Sequence, residues 1–194
     1  MKHAVVLAHP KADSFTATLA KAYRTAVEAR GHMAVTRDLY RMAFDPCLKA
    51  DEIPGAESFN PHKDVVAERI TLGDANVFAF FYPLWLNAPP AILKGYLDRV
   101  FGFGFAYGRK LGGNTPLLTG KKLISFTASG APTDWVIKTG TWDAMRKIFD
   151  EHFAGVCGFE VVDHIHFGGI TPGMRPDAVE HEVEKVQATV AKHF

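Results

Sequence analysis

Cysteine is scarce in this chain, with two among 194 residues, Cys47 and Cys157. They lie far apart and outside any Cys-x-x-Cys or metal-type spacing, which argues against a disulfide framework and suits a reducing compartment, the cytoplasm by default. An excess of either charge is missing too: 22 Lys and Arg stand against 21 Asp and Glu, a net +1. No global field draws such a chain to nucleic acid or to an acidic membrane, so small molecules and proteins remain as partners. Long apolar runs are also lacking. Ala4-Val-Val-Leu-Ala8 is too short for the core of a signal peptide, and no stretch approaches the roughly 18 residues of a membrane span.

Several phosphate and nucleophile motifs are absent as well. No Gly-x-Gly-x-x-Gly follows the first apolar segment, and Thr119-Gly-Lys-Lys122 lacks the leading glycine and closing Ser/Thr of a Walker loop. In Ala128-Ser-Gly130, Thr127 stands where a nucleophile elbow needs its first glycine, which disfavours a serine hydrolase. His164 and His166 share a strand face, yet no third ligand stands at a tell-tale spacing, so they read as buried or rim histidines and no metal site is expected.

What is present is apolar material, 47% of the chain, enough for one sizeable core in a single domain over 1–194. Strands are expected at about 3–8, 32–39, 75–82, 122–127 and 159–166. Between them, Phe15, Leu19, Tyr23 and Val27 mark a helix over about 14–30 that stops at Gly31. Met145, Ile148, Phe149, Phe153 and Val156 mark one side of a helix over 142–156, and Val179, Val183, Val186 and Val190 mark a final one. Alternation of β and α implies an α/β fold: a five-stranded parallel sheet with helices on both faces and strand order 2-1-3-4-5. Residues 41–63 and 102–120, the second with six glycines, are too long for plain connections and are expected to cover a site or a partner surface.

The most informative run is Tyr82-Pro-Leu-Trp-Leu-Asn-Ala-Pro-Pro90, which joins the most apolar strand to an amphipathic helix carrying Leu93, Tyr96, Leu97 and Val100. Open α/β sheets bind ligands at the carboxyl ends of their strands, so Trp85, Leu86 and Asn87 are placed for a flat ligand. In the first βα turn, Ser14 or Asp13 can cap the helix, and Ser14, Thr16 and free backbone N–H groups, with His9, can hold a phosphate at its positive end. Ser125-Phe-Thr-Ala-Ser-Gly-Ala-Pro132 ends the fourth strand in small residues that let amides approach a ligand. Strands 1, 3 and 4 lie side by side in the expected order, so the three turns converge on one crevice.

These motifs resemble, over most of the chain and in order, the NAD(P)H:quinone oxidoreductase family of flavodoxin-like proteins. The matching segments are Val6-Leu-Ala-His-Pro with Ser14-Phe15-Thr16, Asp38-Leu-Tyr40, Tyr82-Pro-Leu84, Pro90-Ala-Ile-Leu-Lys-Gly95 with Asp98-Arg-Val-Phe101, Phe105-Ala-Tyr107, and Cys157-Gly-Phe159. The resemblance implies a flavin, FMN or FAD, with its phosphate at His9, Ser14, Phe15 and Thr16. The ring would lie against Pro83, Leu84, Trp85, Leu86 and Asn87, with its pyrimidine end at Thr127, Ala128, Ser129 and Gly130. Tyr107 and Trp135 would face the substrate pocket, Tyr107 at a homodimer interface. The implied reaction is ping-pong hydride transfer from NADH or NADPH to a quinone-like acceptor. Azo- or nitro-compound reduction on the same scaffold is the alternative enzyme, and a regulatory subunit docked on a transporter is the alternative class. Trp135 and Thr141 stand where mammalian members have a proton-handling tyrosine and histidine, Asn87 replaces an aromatic, and the extended carboxyl-terminal region is missing, which makes FMN at least as well suited as FAD.

Overall fold

The computed structural model describes residues 1–55, 59–111 and 113–194. Among the described residues there are seven strands: β1 (Lys2–Leu7), β2 (Met33–Asp38), β3 (Val77–Pro83), β4 (Tyr107–Lys110), β5 (Gly113–Pro116), β6 (Lys122–Ala128) and β7 (Glu160–Phe167). Five of them form one parallel sheet in the order β2-β1-β3-β6-β7, which, counted among the sheet's own strands, is the expected 2-1-3-4-5. The other two, β4 and β5, pair as an antiparallel ribbon inside the glycine-rich stretch that the sequence marks only as a long connection.

All seven residues of β3 are buried. Their side chains alternate between two cores, as the two-residue period of a strand requires. Phe78, Phe80 and Tyr82 point to one core, while Val77, Ala79 and Phe81 point to the other. A strand covered on both faces is hydrophobic at every position, which is why its sequence reads as a continuous apolar run.

The helices are α1 (Phe15–Glu28), α2 (Lys63–Leu72), α3 (Ala91–Val100), α4 (Thr133–Lys138), α5 (Thr141–Arg146), α6 (Ala154–Cys157) and α7 (Pro176–His193). One face of the sheet is covered by α1 and α7 through Leu19, Tyr23, Val27, Val186 and Val190. Leu93, Tyr96 and Val100 of α3 cover the other, together with Met145, Phe149 and Cys157. Between α5 and α6 the chain winds through a wide helical stretch, Lys147–Phe153. Its slower winding keeps Met145, Phe149, Phe153 and Cys157, each four residues on, over the sheet. The same winding corrects one expectation: Ile148, placed by the sequence on the inner side, is turned out and 70% exposed.

Within 41–63, expected to cover a site or a partner surface, Asp45 and Glu52 are anchored by Arg99 of α3. The Arg99 side chain is 1% exposed and pairs with Glu52 at 2.8 and 2.9 Å, with Asp64 at 2.7 and 3.0 Å, and with the Asp45 carbonyl at 2.6 Å. Glu52, His62 and Asp64 bring ligand atoms within 4.8 Å of one another, but the two acids are already engaged by this guanidinium. The crossing is close enough to require glycine at position 95, where a Cβ would sit 2.1 Å from the Pro46 carbonyl oxygen. Helix α2 escapes a hydropathy reading because its inner stripe is Val65, Glu68 and Leu72, with Glu68 bound to Arg37 and, at 2.9 Å, to the Tyr96 hydroxyl. Among the described residues no helix is long and apolar enough to cross a membrane.

Candidate functional site

The carboxyl ends of β1, β3, β6 and β7 are bound to one another before any ligand is considered. Leu84 N donates to the Ala128 carbonyl at 2.7 Å, Ser129 N to the Phe167 carbonyl at 2.9 Å, and Ile170 N to the Ser129 carbonyl at 2.9 Å. Gly168 allows the last two loops to touch, since a Cβ there would lie 2.3 Å from the Thr133 amide nitrogen. Between these ends opens a crevice of about 350 Å³. Nine of the predicted residues line it: His9, Phe15, Thr16, Pro83, Leu84, Trp85, Ala128, Ser129 and Gly130. Lys11, Ile170, Thr171 and Pro172 complete the wall. The last three follow the Gly168-Gly169 turn beyond β7, and strand order alone, which puts β7 beside β6, is the signal that would have located them.

At one end of the crevice stands the amino terminus of α1. Ser14 caps it, its Oγ accepting from Ala17 N at 3.1 Å, and no acidic residue occupies the first turn, so the helix pole is left uncompensated on the crevice side. Ser14 itself is buried behind the wall. His9 Nδ1 accepts from Lys11 N at 3.1 Å, which leaves Nε2 as the protonated ring nitrogen of the neutral imidazole. Partial burial pushes the His9 imidazole below its usual range, so what it offers at neutral pH is an N–H donor and not a charge.

The middle of the crevice is apolar. Trp85 packs edge-on against His9, 5.9 Å between centroids, and is half exposed. The following turn closes tightly, Trp85 N to Ala88 O at 3.0 Å and Ala88 N to Trp85 O at 3.1 Å. Its two central residues have positive φ, Leu86 at 52° and Asn87 at 60°. Such a turn favours Asn-Gly, so a leucine there carries roughly 1–2 kcal/mol of strain. Leu86 points fully into solvent at the tip, and neither it nor Asn87 is on the crevice wall.

Thr127 is likewise not on the wall. Its side chain is fully buried beneath it, in a chain of polar groups that the sequence did not reveal. Asp150 lies 2.9 and 3.0 Å from His164 Nδ1, His164 Nε2 lies 3.1 Å from Thr127 Oγ1, and Thr127 Oγ1 lies 3.0 Å from His166 Nδ1. His166 Nε2 then reaches Ser129 Oγ at 3.1 Å, and Ser129 Oγ donates to the Ala131 carbonyl at 2.9 Å. Trp142 covers both imidazoles, with its ring centroid 4.9 Å from that of His164 and 5.9 Å from that of His166. The two histidines are therefore linked members of one array. Hydropathy gives no sign of Asp150, which lies 14 residues from its partner.

The remaining predicted residues lie elsewhere in the chain. Tyr107 lines a second crevice of about 360 Å³ with Pro89, Leu97, Phe101, His152 and Phe153. Trp135, on α4, is half exposed. Thr141 hydrogen-bonds Thr139, 3.0 Å between hydroxyls, at the α4–α5 junction.

The sequence profile of the flavodoxin-like fold family matches residues 1–193. An uncharacterized NAD(P)H oxidoreductase of Haemophilus influenzae is 32% identical, over 97% of this chain and 95% of its own length. NAD(P)H dehydrogenase [quinone] 1 of Rattus norvegicus is 32% identical, over 90% of this chain and 70% of its own. Among solved structures, the NAD(P)H:quinone oxidoreductase from Methanothermobacter marburgensis superposes with a TM-score of 0.88 at 27% identity, covering 98% of this chain and 97% of that one.

Proposed function

The chain belongs to the flavodoxin-like family of NAD(P)H:quinone oxidoreductases, and from that premise we propose that its crevice holds a flavin and uses NADH or NADPH to reduce a quinone-like acceptor in two-electron, ping-pong fashion. One observation carries this reading. Four strand ends converge on a single crevice with an uncompensated helix pole at one end, an apolar wall in the middle and small hydrogen-bonding residues at the other. That donor set suits a phosphorylated planar ring.

The residues divide the work by chemistry. The α1 amino terminus, Thr16 and the His9 Nε2–H would hold the phosphate, with Ser14 fixing the first turn of the helix from behind. Pro83, Leu84 and Trp85 would lie against the ring and exclude water. Ser129 and the amides of the Ala128–Gly130 loop would face the ring's pyrimidine edge, where donors stabilise negative charge as it develops. A bound flavin would supply the hydride-transfer chemistry between nicotinamide and acceptor, so no protein nucleophile is needed. Leu86 and Asn87, at the tip of their turn, would meet the acceptor or a second subunit. We propose a homodimer in which the Tyr107 crevice and Trp135 of one subunit complete the pocket of the other.

Visible absorption of the desalted protein after addition of FMN or FAD, followed by anaerobic NADH and NADPH titration, tests the proposal. Bound flavin that bleaches and is reoxidised by a benzoquinone supports it. A protein that retains neither flavin overturns it, and reoxidation by an azo dye in preference to any quinone would move the acceptor class.

A further inference from the structure

With His166 neutral, the polar chain beneath the crevice has one set of hydrogen-bond directions that satisfies its contacts from Ser129 back to His164. Ser129 has a single hydroxyl proton, and the Ala131 carbonyl, 2.9 Å away, can only accept, so the proton points there. His166 Nε2, 3.1 Å from the same oxygen, must then be the donor. Burial and the neighbouring His164 push the His166 imidazole down to about 4, so it is neutral and its Nδ1 accepts the Thr127 hydroxyl proton across 3.0 Å. Thr127 Oγ1 in turn accepts from His164 Nε2 at 3.1 Å, while His164 Nδ1 donates to Asp150 at 2.9 and 3.0 Å. His164 Nε2 therefore carries a proton, and a second proton lies in the contact between His164 Nδ1 and Asp150, whose side chains are 2% and 4% exposed. Beyond Asp150, Arg146 approaches at 3.6 Å, and the Asp163 carboxylate accepts the backbone N–H of His164 at 2.9 Å.

From Thr127 onward each hydroxyl or ring nitrogen donates in one direction, from the His164–Asp150 pair toward Ser129, and Ser129 lines the crevice. We infer that His164, Thr127, His166 and Ser129, with Asp150 sharing the proton at His164 Nδ1, form a proton relay that discharges into the crevice. Each proton moves one place: the Ser129 hydroxyl turns from the Ala131 carbonyl and passes its proton to the acceptor's oxygen, His166 Nε2–H passes to Ser129, Thr127 O–H to His166 Nδ1, and His164 Nε2–H to Thr127. One proton leaves the chain, the His164–Asp150 pair keeps the other, and no electron moves. A quinone that has gained a hydride, and with it two electrons, becomes a hydroquinone monoanion, and this proton neutralises it. A solvent proton taken up at Ser129 passes back along the chain and restores the His164 Nε2 proton. The inference rests on the proposed quinone reduction for its purpose, but not for its proton assignment. Ser129 lines the crevice and would meet the acceptor beside the ring's pyrimidine edge, whereas Asp150, His164, Thr127 and His166 are positioning residues acting through it.

Two measurements test it independently. Ring-nitrogen NMR of 15N-histidine-labelled, flavin-free protein at neutral pH, with H164Q and H166Q to assign the signals, should show both His164 and His166 protonated at Nε2. His164 unprotonated at Nε2, or His166 protonated at Nδ1, would overturn the relay whatever the flavin does. In flavin-loaded protein, Thr127→Val keeps the shape and removes the hydroxyl. It should slow reoxidation by benzoquinone on the order of 100-fold, leave bleaching by NAD(P)H within twofold, and abolish the solvent deuterium effect on that reoxidation, with Thr127→Ser restoring both the rate and the isotope effect. Equal slowing of both half-reactions, or of neither, refutes the relay, and H166Q carries the same comparison if T127V does not fold. Failure of the wild type to bind flavin would end the functional proposal while leaving the NMR result to stand or fall alone.

Discussion

Removing Arg99 should unmask the charge it neutralises. In Arg99→Met the apolar stem is kept, but Glu52 loses two hydrogen bonds of 2.8 and 2.9 Å and remains under the 41–53 segment with a side chain only 4% exposed. Stripping one partner from a buried pair costs about 3–5 kcal/mol. Proton linkage gives a second route to the magnitude. Burial alone would raise the Glu52 carboxyl, but Arg99 and the amides of Lys49 and His62 outweigh it and hold it at about 2, against 4.5 for an ordinary glutamate. At roughly 1.4 kcal/mol per pH unit the shift corresponds to about 3 kcal/mol, nearer 2 after allowance for solvent screening. Because the folded value is depressed, this stability is present above pH 4.5 and lost as pH falls toward 2 in the wild type. In R99M burial is opposed only by the Lys49 and His62 amides and the more weakly coupled Arg69, so the Glu52 carboxyl rises and lowering the pH from 7 to 5 should recover stability. Urea unfolding followed by far-UV circular dichroism at both pH values measures each effect, and E52Q in the R99M background should restore more than half of the loss. A loss below about 1 kcal/mol at pH 7, or one that does not shrink at pH 5, would refute the reasoning.

Four other outcomes are expected. Ser14→Glu puts negative charge at the α1 pole and should abolish flavin retention with the far-UV spectrum unchanged; full occupancy would show that the phosphate sits elsewhere. Gly168→Ala drives a Cβ against the Thr133 amide and should cost about 1–3 kcal/mol by chemical denaturation while weakening flavin affinity; an unchanged protein would mean the two loops yield easily. Cys47 is exposed, whereas burial pushes the Cys157 thiol up to about 12, so alkylation of the native protein at pH 8 should modify one thiol rapidly and the second only after unfolding. His3 is fully buried between the Tyr23 hydroxyl at 2.8 Å and His32 at 3.0 Å, and burial lowers it to about 4. The depressed value means its contribution is intact above about pH 6.5 and is lost as pH falls toward 4, on the order of 2 kcal/mol, and His3→Phe should flatten that limb of the stability curve.

The sheet was legible because β3 and its neighbours are hydrophobic on both faces, and few arrangements besides a doubly covered sheet can bury a pattern that dense. The converging turns followed from strand order, and nine of the residues named for them share one crevice. What stayed hidden shares a physical cause: it is polar and assembled from distant segments. Glu68 interrupts the inner stripe of α2, and Arg99 gathers Glu52 and Asp64 from 47 and 35 positions away. Asp150 and His164 become a pair only when the 141–157 helix lies down on β7. The wide turn that exposes Ile148 is a departure from 3.6 periodicity that the periodicity itself cannot announce.

The burial of β3 has a consequence for how the molecule breathes. Paired on both edges and covered on both faces, it should hold the slowest-exchanging amides in the chain, near the limit set by global unfolding. The Trp85–Ala88 turn springs from its last residue but rests on short hydrogen bonds of its own, so it can open without loosening the strand beneath. Heating should therefore disperse the crevice's walls while its floor is still intact, and a bound ring should leave the protein several degrees before the sheet melts.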